Sequence, residues 1–179
     1  MVLKLTLMSS IALLQASVSV ADGDQSAADA FKQLTSLLGD WEGKFPDGRS
    51  HRVSYRLTAG GGVLVETWML APGSESMTLY HLDGSELIAT HYCPQGNQPR
   101  LQFVKIDESN KLHFTFRDGT NLRVKDKSHQ HAFWIRFLGK NSFERSETYV
   151  DNDSTASEIA AITPGKAITY TRIDTPGGS

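Results

Sequence analysis

Apolar and polar residues alternate along most of the chain after Trp41, and this period of two constrains the fold more than any other feature. The alternation is clearest in residues 52–57 and 112–117, where every second side chain is apolar. Such a pattern is typical of β-strands that bury one face and expose the other. Turn signals separate the apolar segments, among them Gly60-Gly61-Gly62, Asp83-Gly84 and Asp118-Gly119.

The spacing of these segments predicts about ten to twelve strands. They cover residues 53–57, 63–70, 76–82, 86–93, 100–106, 112–117, 121–124, 133–138, 143–150, 158–163 and 167–173. No helical segment among them is long enough to connect parallel strands, so the sheet is predicted to be antiparallel. Closure into a barrel removes the exposed edges of so long a meander. The predicted fold is therefore mainly β, an antiparallel up-and-down β-barrel of about ten strands over residues 39–174.

One short helix is predicted before the strands, over residues 22–38. Ala27, Phe31 and Leu34 recur at helical spacing, and Gly39 provides the left-handed residue that commonly follows a helix. Since the β-structure is the only partner for this apolar stripe, we expect the helix to cap the barrel. Residues 175–179 are expected to form a flexible tail.

Residues 1–21 have the features of a cleaved signal peptide. Lys4 supplies a positive n-region, residues 5–14 are mostly apolar, and Ser19 and Ala21 are small residues of the kind that a signal peptidase reads. The apolar stretch is far shorter than the roughly 20 residues that a membrane-spanning helix needs. We therefore expect a periplasmic or secreted protein that is not inserted in a membrane after cleavage.

Charge and cysteine content exclude several classes of function. The formal net charge is −2, so no basic surface for nucleic acid or anionic lipid is expected. Cys93 is the only cysteine in the sequence, which rules out an internal disulfide. Small extracellular domains of eukaryotes commonly depend on disulfides, so a Gram-negative periplasm is the favoured compartment. The sequence gives no indication of the oligomeric state.

Residues 38–43, Leu-Gly-Asp-Trp-Glu-Gly, resemble the G-x-W motif with which calycin barrels open. In that superfamily a short helix leads into the first strand at this motif. The resemblance implies that Trp41 lies at the closed end of the barrel and that a basic residue stacks on its ring. Arg172, in the last predicted strand, is the candidate, and both residues are interpreted as structural.

Three further segments resemble uncharacterised bacterial lipocalin-like proteins, which are related in shape to nitrobindins. They are residues 80–84 (Tyr-His-Leu-Asp-Gly), 90–93 (Thr-His-Tyr-Cys) and 96–100 (Gly-Asn-Gln-Pro-Arg). Nitrobindins bind haem through a histidine near the C-terminus, but no histidine follows His131 here, and no cofactor is predicted. The Arg-x-Tyr pair of fatty-acid-binding barrels occurs in reversed order, as Tyr170-Thr171-Arg172, so that carboxylate site does not transfer.

A barrel of about ten strands is wider than its own side chains fill, so a ligand cavity is expected. The predicted ligand-binding residues come from the segment richest in polar groups: His91, Cys93, Asn97, Gln98, Tyr80 and His81. With Leu82 opposite Leu87 in a hairpin, His91 and Cys93 share a face with Tyr80, whereas His81 lies on the other face. We predict that His91 lies in the cavity wall. The alternative is a turn at residues 94–99 whose side chains satisfy its own backbone.

Three functions remain open from the sequence. The first is an exported barrel that binds an unidentified small, hydrophobic molecule; the second is an enzyme that uses the same cavity with His91 as general base. The third is a structural envelope protein whose barrel is filled. The motifs G-x-S-x-G and H-E-x-x-H are absent, and no catalytic residue is assigned. His129 and His131 share a strand face, as in some zinc sites, but no third ligand is evident and no metal is predicted.

The signal peptide leads to the first prediction. We expect the exported protein to be cleaved after Ala21, so that N-terminal sequencing begins at Asp22. Recovery of the intact chain, starting at Met1, from a soluble cytosolic fraction would contradict secretion.

Overall fold

The structure, a computed structural model, describes residues 22–45, 47–71, 73–123 and 126–173. Its ten strands form one closed antiparallel barrel in which each strand pairs with its neighbours in sequence and the first pairs with the last. The predicted mainly β, up-and-down barrel is therefore confirmed, and closure pairs both edges of the sheet. The predicted signal peptide (1–21) and tail (175–179) lie outside the described residues.

In chain order the elements are α1 (Asp22–Thr35), β1 (Gly39–Lys44), β2 (Ser50–Thr58), β3 (Val63–Ala71), β4 (Ser74–Asp83), β5 (Glu86–Tyr92), β6 (Gln98–Ile106), β7 (Lys111–Thr120), β8 (Ser128–Gly139), β9 (Ser142–Asp151), α2 (Ala156–Ala160) and β10 (Ile168–Ile173). A short 3-10 helix, Ala59–Gly61, joins β2 to β3. Because the chain reverses at every connection, successive connections alternate between the two ends of the barrel. We call the end where β1 begins, next to α1, the closed end, and the opposite end the mouth.

The helix α1 packs onto the closed end through one apolar face. Its buried residues recur every three or four positions and join the hydrophobic core of the barrel: Ala27, Ala30 and Leu34. The helix ends at Thr35 rather than at residue 38, because residues 36–38 form a turn held by backbone hydrogen bonds. Gly39 follows with a φ of +118°, a conformation that favours glycine.

Alternate residues of each strand face the interior, as the period of two predicts. On β4 and β5 the buried inward residues are Ser76, Thr78, Tyr80, Leu87, Ala89 and His91. The two strands pair Leu82 with Leu87 and Thr78 with His91, which is the register on which the predicted facing depends.

Aromatic rings fill the interior near the closed end. Phe143 packs edge-on against Trp41, with ring centroids 5.0 Å apart, and stacks on Tyr170 at 4.9 Å. On the other side of the barrel Phe114 stacks on Phe133 at 4.5 Å. These contacts leave the closed half of the barrel tightly packed.

Two predicted strands are wrong. The segment 158–163 instead contains the last residues of the helix α2 and the turn after it. The helix begins here because Thr155 and Glu158 form a capping box: the Glu158 N–H donates to the Thr155 hydroxyl, and the Thr155 N–H donates to the Glu158 carboxylate. Residues 121–123 form a turn with Asn121 at a φ of +54°, and residue 124 lies outside the described residues.

The Arg172 guanidinium lies 4.1 Å from the centroid of the Trp41 ring. Its Nη1 donates to the Leu38 carbonyl at 2.5 Å and its Nη2 to the Ser36 carbonyl at 3.0 Å, while Trp41 Nε1 donates to the Leu37 carbonyl at 2.6 Å. The pair therefore ties the turn after α1 to the last strand, at the closed end.

We expect Trp41→Ala to lower the free energy of unfolding by ~3–5 kcal/mol, since it removes a buried ring, and Arg172→Ala to lower it by less. A double-mutant cycle measured by urea denaturation should give a coupling of ~0.5–2 kcal/mol between them. Arg100→Ala is the control: it removes an exposed ion pair with Asp118 and should cost no more than ~1 kcal/mol. A coupling of zero would show that the stacking contributes nothing.

Candidate functional site

A buried ion pair lies in the barrel interior, about midway along β3 and β9. Arg145 Nη1 donates to Oε2 of Glu66 at 2.6 Å, and the two side chains are 2% and 0% exposed. Both residues occupy inward-facing positions of strands in which side chains alternate between the interior and the outer wall. Their charged groups therefore lie inside the barrel. Charged groups are buried at this depth only when they are paired.

Glu66 accepts hydrogen bonds on both carboxylate oxygens. Trp68 Nε1 donates to Oε1 at 2.5 Å, and the Tyr80 hydroxyl donates to Oε2 at 2.7 Å. Burial, together with the charge of Glu66, raises the pKa of Tyr80 well above its ordinary value, so the phenol keeps the proton that it donates.

Arg145 donates to carboxylates through Nη1 and Nε, whereas Nη2 has no hydrogen-bond partner among the described residues. Burial disfavours its charged form, but the neighbouring groups, Glu66 first among them, together outweigh this and raise the pKa of Arg145 well above its ordinary value. The guanidinium carbon lies 4.3 Å from the centroid of the Phe133 ring and 5.1 Å from that of Trp68. The pair forms a rigid, polar floor beneath the mouth.

Two adjoining cavities open at the mouth above this floor. The larger has a volume of about 340 Å³, and its aromatic lining consists of Phe45, His51, Trp68, Tyr149 and Tyr170. The smaller has a volume of about 280 Å³ and is lined on its polar side by Ser76, His91, Cys93 and Gln95. Four side chains line both cavities: His51, Trp68, Glu147 and Tyr149. Small-molecule sites range over roughly 300–1,000 Å³, so the larger cavity lies at the lower end of this range and the smaller lies just below it.

Glu147 carries the carboxylate that both cavities share. Its Oε1 accepts from Arg145 Nε at 2.7 Å, and the side chain is 32% exposed. The segment between α2 and β10, which we call the rim segment, is hydrogen-bonded to β9 at this point. Gly165 N donates to the Glu147 carbonyl at 2.9 Å, and Ser146 Oγ donates to the Gly165 carbonyl at 2.5 Å. The carboxylate and the rim are therefore positioned together.

His91 lies in the wall of the smaller cavity and is 2% exposed. Its Nδ1 is 3.0 Å from the Thr78 hydroxyl, whereas Nε2 has no hydrogen-bond partner among the described residues. Burial lowers the pKa of His91, although the charge of Glu147 opposes the shift. The imidazole is therefore neutral near pH 7 and presents one free ring nitrogen.

His51 is the second histidine of the mouth. Its ring stacks on Trp68 with centroids 4.8 Å apart, and its Nδ1 is 3.3 Å from the Tyr170 hydroxyl. Burial lowers the pKa of His51 as well, against the opposing charge of Glu147. This residue was not among the predicted site residues.

Of the predicted turn residues, Cys93 lines the smaller cavity, but Asn97 and Gln98 line neither. Burial raises the pKa of Cys93, so the thiol stays protonated near pH 7. Asn97 Nδ2 donates to the Ser128 carbonyl at 2.8 Å, and Gln98 Nε2 donates to the Gly96 carbonyl at 3.1 Å. Gln98 therefore hydrogen-bonds to the backbone of its own turn, whereas Asn97 ties the turn to β8.

Tyr80 and His81 follow the strand period to opposite faces. Tyr80 is fully buried in the floor, hydrogen-bonded to Glu66, and does not line either mouth cavity. His81 faces the outer wall, where it stands opposite Val63 and Ile88 in the register of the sheet. Neither residue is therefore in position to meet a ligand in the mouth cavities.

His129 and His131 contact each other at the start of β8. His131 Nδ1 is 3.4 Å from His129 Nε2, and both rings pack on Phe116. Within the described ranges, no three His, Cys, Asp or Glu side chains are arranged to hold a metal ion. No helix in the described part of the chain is both long enough and apolar enough to cross a membrane.

Sequence reasoning missed most of the polar site. The missed residues are Glu66, Arg145, Glu147, His51 and Trp68. A signal was present, since Glu66 and Arg145 are charged residues at positions where the strand period demands an apolar side chain. Charged residues at inward positions of a barrel mark either a buried pair or a ligand site.

The comparisons with known proteins identify a fold neighbour and no family. No protein-family model matches the sequence, and no curated protein matches it. A crystal structure of a protein of unknown function from Nostoc punctiforme, from the DUF3598 family, matches with a TM-score of 0.51 and 13% sequence identity. The match covers 79% of this chain and 49% of the Nostoc chain, so this chain spans about half the length of that neighbour. This likeness supports the barrel fold alone.

The buried ion pair leads to a prediction on stability. Arg145→Met should lower the free energy of unfolding by about 3–5 kcal/mol, because it leaves Glu66 buried without its compensating charge. The double variant Glu66→Met/Arg145→Met should recover much of that loss, since neither central charge remains. Urea denaturation measures both.

Arg136→Met is the matched control, because it breaks the ion pair with Glu144 on the outer face of the same region. A partly exposed pair of this kind should cost no more than about 1 kcal/mol. Losses that simply add in the double variant would contradict a coupled ion pair.

Proposed function

We propose that the protein is an exported, lipocalin-like barrel that binds a small molecule in the cavities at its mouth. The observation that carries the proposal is the pair of adjoining cavities above a closed and filled interior. Sites for small molecules are concave and largely apolar, with a few polar groups that fix orientation. The mouth has this composition, since aromatic walls surround the polar groups of His91, Gln95 and Glu147.

The proposed class rests on the closed end of the barrel. A helix, a turn and a tryptophan precede the first strand, and Arg172 of the last strand lies over the Trp41 ring. This is the arrangement that the G-x-W resemblance implies for calycin barrels. Export to the periplasm or beyond is proposed on the signal-peptide features of residues 1–21 alone.

The contacts of His91 favour binding over catalysis. A histidine that acts as general base is commonly oriented by a carboxylate, whereas Nδ1 of His91 lies against the Thr78 hydroxyl. No carboxylate is hydrogen-bonded to His91 within the described part of the chain. The structural alternative, a filled barrel, fits the closed half of the molecule but leaves the mouth cavities without a role.

Native mass spectrometry of the protein purified from the cells that produce it tests the proposal. A retained small-molecule mass that disappears on denaturation supports a binding barrel. A bare protein mass, together with no binding of small-molecule probes, would favour the structural alternative.

A cavity-filling variant should place the ligand in the mouth. Ser76 is buried in the wall of the smaller cavity, so Ser76→Phe should fill it and abolish retention of the ligand mass. Met77→Phe, at the next position, faces the outer wall, where Met77 is 38% exposed, and should retain the ligand. Equal occupancy in the two folded variants would show that the ligand lies elsewhere.

A further inference from the structure

We infer that the mouth cavities select an organic cation, a primary ammonium group carried on a compact apolar body. This inference rests on the proposed binding function and names its ligand class. It follows from the charge of the mouth, the chemistry of its walls and the unpartnered Nε2 of His91.

The site contains more negative than positive groups, since two carboxylates contact one guanidinium. Among the described residues of the site, Arg145 is the buried cation: Nη1 donates to Glu66 and Nε to Glu147, whereas Nη2 has no hydrogen-bond partner. Both carboxylate oxygens of Glu66 already accept hydrogen bonds, because Trp68 and Tyr80 also donate to them. Glu147 accepts one of these bonds through Oε1, and Oε2 accepts none within the described ranges. A residual negative charge therefore remains on the carboxylate that lines both cavities.

The other ionisable groups of the mouth leave this charge in place. His51 and His91 are both neutral near pH 7, because burial lowers the pKa of each. Cys93 and Tyr149 are neutral as well, since burial raises the pKa of each. Lys166 lines the larger cavity but is exposed at the rim, where water screens its charge.

The walls around Glu147 suit a cation. Tyr149, Tyr170 and Phe45 present aromatic surface to the larger cavity, whereas Trp68 already has His51 stacked on its ring and the Arg145 guanidinium 5.1 Å from its centroid. Cations are attracted to the faces of aromatic rings, and more strongly where water is excluded. A carboxylate surrounded by such rings pairs with an ammonium group and also packs against its carbon substituents.

The unpartnered nitrogen of His91 adds an acceptor. When Nδ1–H donates to the Thr78 hydroxyl, the neutral ring presents Nε2 as a lone-pair acceptor in the smaller cavity. A buried polar atom without a partner is costly, and an ammonium or amine N–H satisfies it. The smaller cavity is therefore lined by two side chains that carry acceptors, the imidazole of His91 and the carboxylate of Glu147.

Isothermal titration of three probes that share one phenyl body tests the inference: phenethylammonium, phenethyl alcohol and hydrocinnamate. We expect the ammonium to bind about tenfold or more tightly than the alcohol, and the carboxylate to bind most weakly. Glu147→Gln should remove most of this preference, because it weakens binding of the ammonium more than binding of the alcohol. Glu144→Gln, the same substitution on the outer face of β9, is the matched control and should keep the wild-type preference.

The outcomes separate the two proposals. Equal affinity for ammonium and alcohol, tightest binding of the carboxylate, or an undiminished ammonium preference in folded Glu147→Gln overturns the cation inference and leaves the binding function standing. If none of the three probes binds and the purified protein retains no ligand, both proposals fail.

Discussion

The contact between Glu66 and Arg145 determines how the rest of the barrel is organised. It joins β3 to β9 across the interior, and through Trp68 and Tyr80 it fixes two further large side chains. Two charges at 0% and 2% exposure are stable only if each keeps its partner, so the distance between these strands has little freedom to vary. The ion pair lies between the aromatic core on the side of the closed end and the cavities on the side of the mouth.

This arrangement divides the barrel into two halves with different physical roles. The closed half is apolar and well packed around Phe143 and Phe114, and α1 covers it. The mouth contains the groups that a packed core excludes: two neutral histidines, a carboxylate that is about one-third exposed and free cavity volume. The packed core therefore lies below the ion pair, and the proposed binding site lies above it.

The sequence was sufficient to predict the barrel because strand period and turn chemistry are local signals. The register at Leu82 and Leu87, the inward facing of His91 and the contact between Trp41 and Arg172 all follow from such signals or from the resemblance they support. The site was harder to predict, since Glu66 and Arg145 are far apart in sequence and only closure of the sheet brings them together. Asn97 was predicted as a ligand-binding residue because it is polar and lies near a turn, yet its amide donates to the Ser128 carbonyl and ties the turn to β8. Composition alone does not separate a polar group that binds a ligand from one that holds a backbone.

The rim segment after α2 rests on β9 without an intervening side chain. A β-carbon at position 165 would lie 2.5 Å from the Glu147 carbonyl oxygen, so a larger residue there has to push the rim away from the strand. The shape of the larger cavity next to Glu147 therefore depends on the absence of a β-carbon at position 165. A substitution at Gly165 would therefore alter the proposed binding site through the backbone of the rim, without changing any side chain that points into the cavities.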